Sequence, residues 1–154
     1  MSLVTLLALL PAVMAGDKID NFLEKYLVQE MLTTRDGVDL HTVIGFPREY
    51  FKGSDKKYPT LIDRSPYGYG DMEWITLLGL PFDYVGIGQD IRGTEKSYGN
   101  YSMWTTEEND SRDLGDWIVS QPWSDGRVFT VGASADGLAS LQTPKSNPPW
   151  LKGQ

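Results

Sequence analysis

The apolar run Arg127-Val128-Phe129-Thr130-Val131 breaks off at Gly132-Ala133-Ser134-Ala135-Asp136-Gly137, and residues 138–142 then resume with side chains that can start a helix. An apolar strand, a sharp turn with serine at its tip and a following helix are the context of a nucleophile elbow. The small neighbours have a physical reason. Such a turn strains the serine backbone, and bulky flanks would clash with the strand on one side and the helix on the other. The N–H of Ala135, at the helix N-terminus, then faces the place where an oxyanion would form. This hexapeptide constrains the fold more than any other feature, because it demands a sheet for its strand and a helix behind it.

The segments before it supply that sheet. Val28 and its neighbours to residue 34, and residues 38–46, flank Arg35-Asp36-Gly37, a hairpin turn signal. In the second arm Val38, Leu40, Thr42 and Ile44 alternate with Asp39, His41 and Val43, which predicts that His41 points away from the Leu40 face, to solvent or an edge, in a structural role. Residues 49–58 form a charged loop, and residues 59–64 a short strand stopped by Ser65-Pro66-Tyr67-Gly68-Tyr69-Gly70. Residues 72–78 are apolar enough for a short helix, and residues 84–90 predict another strand. Residues 107–120 read as a helix with Leu114, Trp117 and Ile118 inward, and with Asp110, Asp113 and Asp116 on a solvated side. Strands alternating with helices predict an α/β protein with a mainly parallel sheet and an antiparallel N-terminal hairpin. The last stretch, with Pro144, Pro148 and Pro149 before Trp150, reads as a loop approaching a strand that is not reached. A sheet ending there leaves an open edge through which copies of the chain would associate.

Inventory excludes several function classes. A net charge of −7 over 154 residues repels phosphates and argues against nucleic acid. Absence of cysteine removes disulfides, thiolate metal sites and a cysteine nucleophile, and a single histidine argues against zinc. No cofactor is expected. Glu107 and Glu108 are adjacent on one helix, so they point apart and cannot straddle a glycosidic bond. Gly86-Ile87-Gly88 lies inside a strand-like run without the glycine pattern and helix start of a nucleotide site.

Residues 3–14 are apolar, too short to span a bilayer, and lead into Val13-Met14-Ala15-Gly16. This pattern predicts a signal peptide over residues 1–16 and a secreted or endomembrane-lumenal protein, with no membrane partner. Met1-Ser2 adds no positive charge ahead of it. Residues 17–30 are expected to carry an N-terminal amphipathic helix, with Ile19, Phe22, Leu23, Tyr26 and Leu27 on one face. Residues 31–154 form the remaining domain. Asn100-Tyr101-Ser102 and Asn109-Asp110-Ser111 are glycosylation sequons compatible with that route.

An ordered set of motifs carries a resemblance. It comprises Arg35-Asp36-Gly37-Val38, Arg64-Ser65-Pro66-Tyr67-Gly68, Gln89-Asp90-Ile91-Arg92-Gly93 and Ser97-Tyr98-Gly99. Asp116-Trp117-Ile118, the run from Gln121-Pro122-Trp123 to Arg127-Val128, the elbow and Asn147-Pro148-Pro149-Trp150-Leu151-Lys152 complete it. From residue 31 onward the chain resembles the Xaa-Pro dipeptidyl-peptidase and cocaine-esterase-like family of serine hydrolases. The resemblance implies the N-terminal half of an α/β-hydrolase fold, truncated after the nucleophile elbow. It implies Ser134 as nucleophile, the Ala135 N–H as one oxyanion donor and the Tyr67 hydroxyl as a second. Asp90, Arg92 and Trp123 are then expected to support the fold or the pocket wall. The implied substrate is a peptide or small acyl compound.

Two departures matter. The family usually carries tyrosine after the nucleophile, where this chain has Ala135. The family also draws its acid and histidine from beyond the elbow, in the order serine, acid, histidine. A serine without a base is a poor nucleophile. Two readings follow: an acyl hydrolase acting through Ser134, or an inert fragment that serves at most as a binding module.

Overall fold

The computed structural model describes residues 26–68, 75, 82–102 and 104–154. Strands β1 (Leu27–Thr33) and β2 (Asp39–Gly45) form the hairpin across Arg35-Asp36-Gly37. Gly37 supplies the turn with φ +83°, a conformation that L side chains rarely adopt. Then come β3 (Tyr58–Ser65), β4 (Val85–Asp90), helix α1 (Glu107–Ser120), β5 (Ser124–Thr130), helix α2 (Ser134–Ser140) and β6 (Leu151–Gly153). Leu27 to Glu30 therefore belong to a strand, which shortens the expected helical segment. Its residues 17–25, the apolar residues 3–14 and the expected helix at 72–78, apart from Ile75, lie outside the described residues.

Among the described residues the sheet has six strands in the order β1-β2-β4-β3-β5-β6. The pairs β1–β2 and β2–β4 are antiparallel, whereas β3–β4, β3–β5 and β5–β6 are parallel. The mainly parallel sheet with its antiparallel hairpin thus stands as expected. The approach to a further strand does reach one: Leu151–Gly153 pairs with β5, and the Val128 N–H donates to the Trp150 carbonyl at 2.9 Å.

Interior strands explain the core. Ile44, Ile62, Val85, Ile87 and Val128 are buried in one cluster with Leu114 and Ile118 of α1, and Leu40 and Val43 of β2 are fully buried as well. Burying each such side chain contributes about 1.5–3 kcal/mol. Trp117 is half-buried against this cluster, and Trp123 meets both it and Phe46 edge to face. α1 ends where Gln121 precedes Pro122 and turns extended, with ψ 142°, since proline disfavours helical backbone in the residue before it.

Chain order positions the site. From β3 the chain moves to β4 on one side and then crosses to β5 on the other. The carboxyl end of β3 is therefore a topological switch point, where open α/β sheets place ligands. Pro66-Tyr67 leaves β3 there, and Ala133-Ser134 leaves β5 beside it.

Candidate active site

Ser134 has φ +57° at the first position of α2, directly after the extended Ala133 (φ −124°, ψ 154°). A left-handed conformation costs a non-glycine residue about 1–2 kcal/mol, so the packed strand and helix must hold it there. Gly132 and Gly137 permit the close passage of the two chain segments. The Asp136 N–H donates to the Ala133 carbonyl at 3.1 Å and closes the turn. The result is a serine exposed at the tip, with Ala135 half-buried behind it. Tyr67 is 54% exposed, and its backbone N–H donates to Ser65 Oγ at 3.1 Å. Topology thus brings the loops carrying Tyr67 and Ser134 to neighbouring strand ends.

His41 is not brought to this place. It lies on β2, separated from β5 by both β4 and β3, and is buried rather than solvent-facing as the alternation suggested. Its Nδ1 stands 2.8 Å from Asp90 Oδ2 and its Nε2 3.2 Å from Gln29 Oε1. The reason is that β2 is an interior strand, covered on both faces, so neither alternating set reaches water. Ser97 Oγ accepts from the His41 N–H and donates to the Asp90 carbonyl, tying the loop after β4 to β2. The structural role of His41 and the supporting role of Asp90 are thereby given a geometry.

A charge network joins α1 to the hairpin turn and the loop after β4, and it includes Asp110, one of the three helix aspartates expected in solvent. Asp110 is 1% exposed and takes a two-pronged hydrogen bond from Arg92 Nε and Nη2, at 3.0 and 2.6 Å. Arg92 also reaches Asp36 with Nη1 and Nη2, at 2.8 and 2.9 Å, which pins the hairpin turn to α1. These carboxylates raise the Arg92 pKa, and the Arg92 fork holds the Asp36 carboxyl well below its usual range. Asp113 likewise faces Arg35, and Asp116 accepts from Trp150 Nε1. A second buried pair joins Arg64 Nη1 to Glu107 Oε2 at 2.6 Å, with Ser111 Oγ at 2.9 Å. Burial raises the Glu107 pKa despite Arg64 beside it. Asp110 thus anchors α1 to Arg92 of the loop after β4, and Glu107 to Arg64 of β3, whereas Asp116 stays exposed on the solvated side as expected.

A third feature carried no sequence signal beyond an aspartate inside an apolar strand. Asp63, in β3, is 1% exposed, and neither carboxylate oxygen has a hydrogen-bond partner among the described residues. Burial, and then the charge of Asp136, push its pKa up to about 7; the Arg64 N–H pulls weakly the other way without hydrogen bonding to it. Asp136 is itself buried in the first turn of α2. Among the described residues no three histidine, aspartate or glutamate side chains converge as a metal site would require. Asn100 and Asn109 are both exposed, but the sequon residue Ser111 is buried under Arg64.

Comparison with known proteins places this geometry. The chain is 32% identical over 128 residues to cocaine esterase of Rhodococcus sp. (strain MB1 Bresler), covering 79% of this chain and 21% of that relative. An aminopeptidase from a marine sediment Thaumarchaeota archaeon superposes with a TM-score of 0.69 at 28% identity, covering 82% of this chain and 24% of the other. A CocE/NonD family hydrolase from Staphylococcus aureus gives 0.69 at 25% identity, covering 82% and 26%. The chain thus spans about a quarter or less of the length of these relatives. Its fold is the N-terminal half of an α/β-hydrolase, the region in which such enzymes carry the elbow. With residues 36–153 matching the X-Pro dipeptidyl-peptidase (S15) family from the hairpin turn through the elbow, the chain belongs to that family of hydrolases.

Proposed function

We propose that Ser134 is the nucleophile of a serine hydrolase that cleaves a peptide or ester acyl bond. The observation that carries this reading is the left-handed serine at the tip of the β5–α2 turn, beside the sheet's switch point. Ser134 Oγ attacks the carbonyl carbon, and its proton passes to a general base. The tetrahedral oxyanion is held by the Ala135 N–H and the Tyr67 hydroxyl, each contributing about 3–4 kcal/mol as oxyanion donors do. Collapse expels the amine or alcohol with that proton, and water then releases the acid from Ser134. His41 is occupied by Asp90 and Gln29, so it does not serve as that base. The route is secretory, on the strength of residues 3–16.

A second reading applies to the 154 residues taken alone. With His41 locked on β2, across β4 and β3 from the strand that leads into the elbow, Ser134 has no base, and this polypeptide by itself is inert or at most a binding module. One experiment separates the readings. Fluorophosphonate labelling, followed by intact mass and peptide mapping of residues 128–145, is applied to the native gene product and to the 154-residue chain. Labelling at Ser134 in a larger species, lost with Ser134→Ala, is the expected result. A larger species whose hydrolysis survives Ser134→Ala removes Ser134 from its role, and efficient labelling of the short chain overturns its inertness.

A further inference from the structure

We propose that a single water molecule binds beneath α2 and bridges the Arg64 guanidinium to the threonines at the end of β5 and after the helix. A cavity of about 10 Å3 lies there, walled by Ile62 and Arg64 of β3, Thr130 of β5, Ala139 and Ser140 of α2, and Thr143 in the turn that follows. A buried water needs about 10–15 Å3 of such space, so the cavity fits one water and nothing larger. The polar part of its wall is what makes it a water site rather than a dry void. Arg64 is 5% exposed, and its Nη1 and Nε are committed to Glu107, Ser111 and Gln89. Nη2 is buried without a hydrogen-bond partner among the described residues. Asp110 Oδ2 stands 3.9 Å from it, beyond hydrogen-bond reach. A buried charged donor is costly to leave unmade, and a bridging water satisfies it nearly as well as a direct bond. Thr130, also 5% exposed, accepts from Ser140 Oγ at 2.8 Å and keeps its own hydrogen to donate. Thr143 is buried as well and adds a second hydroxyl. The water oxygen accepts from Arg64 Nη2 and Thr130 Oγ1 and donates to Thr143 Oγ1, the three bonds usual for a buried water.

The consequence is a polar footing for the helix that closes the elbow. Ser140 reaches the water through Thr130, and Arg64 carries the connection on to Glu107 and Ser111 of α1. One guanidinium thereby ties the end of α2 to the start of α1. Ser134 opens that same α2, yet this inference does not depend on its being a nucleophile.

The test is a crystal structure of the native gene product at a resolution that orders single waters. Density for an isolated oxygen about 2.7–3.2 Å from Arg64 Nη2, and equally close to the Thr130 or Thr143 hydroxyl, is the expected result. A dry cavity, or Nη2 bonded directly to a protein acceptor, overturns the proposal. In solution, magnetic relaxation dispersion of the solvent counts long-lived internal waters in the same protein. Thr143→Val keeps the shape of the side chain and loses its hydroxyl, so one such water fewer is expected, with Thr143→Ser equal to the parent. A Thr143→Val protein that retains every long-lived water overturns the site. Should that variant fail to fold, the crystal structure of the parent decides.

Discussion

The Cβ that Gly132 lacks would stand 2.4 Å from the carbonyl carbon of Asp136 and 2.5 Å from its oxygen. The end of β5 and the first turn of α2 therefore pass each other with no room for a methyl group. That contact sets the sharpness of the turn, which in turn holds Ser134 at φ +57°. The elbow is thus built from backbone against backbone, where no side chain can move aside.

Gly132→Ala should consequently be far worse than its size suggests. Overpacking costs typically about 1–3 kcal/mol even where side chains can shift, and here the obstacle is main chain. A loss at or above the upper end is expected in urea denaturation, together with a displaced elbow. Gly137→Ala meets the Gly132 carbonyl oxygen at 3.2 Å and should be clearly milder. Equal effects of the two would contradict the picture.

Ser134→Gly should move stability the other way. Glycine adopts the left-handed conformation without steric penalty, and relief of serine's strain is worth about 1 kcal/mol. Ser134→Ala removes the same hydroxyl but keeps the strain. Calorimetry of the two variants should therefore place the glycine form above the alanine form. The reverse order would show that the turn stores no strain.

Local chemistry made much of this legible beforehand. Asp36-Gly37 marked the hairpin, the glycines about Ser134 marked the elbow, and helix α1 was readable from Leu114 and Ile118 up to the proline that stops it. What escaped depends on partners distant in sequence. Asp110 looks like part of a solvated stripe until Arg64 from β3 and Arg92 from the loop after β4 arrive. His41 looks half-exposed until β1 and β4 close on both sides of its strand. The three-residue β6 gives almost no strand signal, because its placement rests on Trp150.

His41→Asn tests the structural assignment directly. The substitution removes the ring that stands 2.8 Å from the buried Asp90 carboxylate. Leaving a buried acceptor without its partner costs about 1–3 kcal/mol, and more when it is charged. Lower thermal stability is expected. In an enzyme that contributes its own base, turnover per folded molecule should be unchanged. A loss of turnover from fully folded protein would restore His41 to the chemistry.

Asp110→Asn should be among the most damaging surface-to-core ion-pair changes in the chain. The carboxylate is 1% exposed and answers the Arg92 fork with two oxygens. Breaking a buried pair on one side costs about 3–5 kcal/mol, because the remaining charge stays behind. Asp36→Asn removes the same cation's other partner at the solvent edge, where water can substitute, so its effect in the same urea assay should be small. Comparable losses would mean the pair is not buried in solution.

Gly115 and Trp150 carry the last test. A Cβ on Gly115 would stand 2.0 Å from the six-membered ring of Trp150, which is 4% exposed and donates its Nε1–H to Asp116 Oδ1 at 2.8 Å. Helix propensity alone favours alanine over glycine by about 1 kcal/mol, so an exposed site would gain from Gly115→Ala. Here the methyl evicts an indole whose burial is worth about 3–5 kcal/mol. Packing wins by a margin of a few kcal/mol. Because the Trp150 carbonyl also accepts from Val128 at the start of the β5–β6 pairing, the damage should spread to the sheet edge. Urea denaturation should show the net loss, and amide exchange at Val128 should quicken. A Gly115→Ala chain as stable as the parent would mean that Trp150 does not occupy this seat.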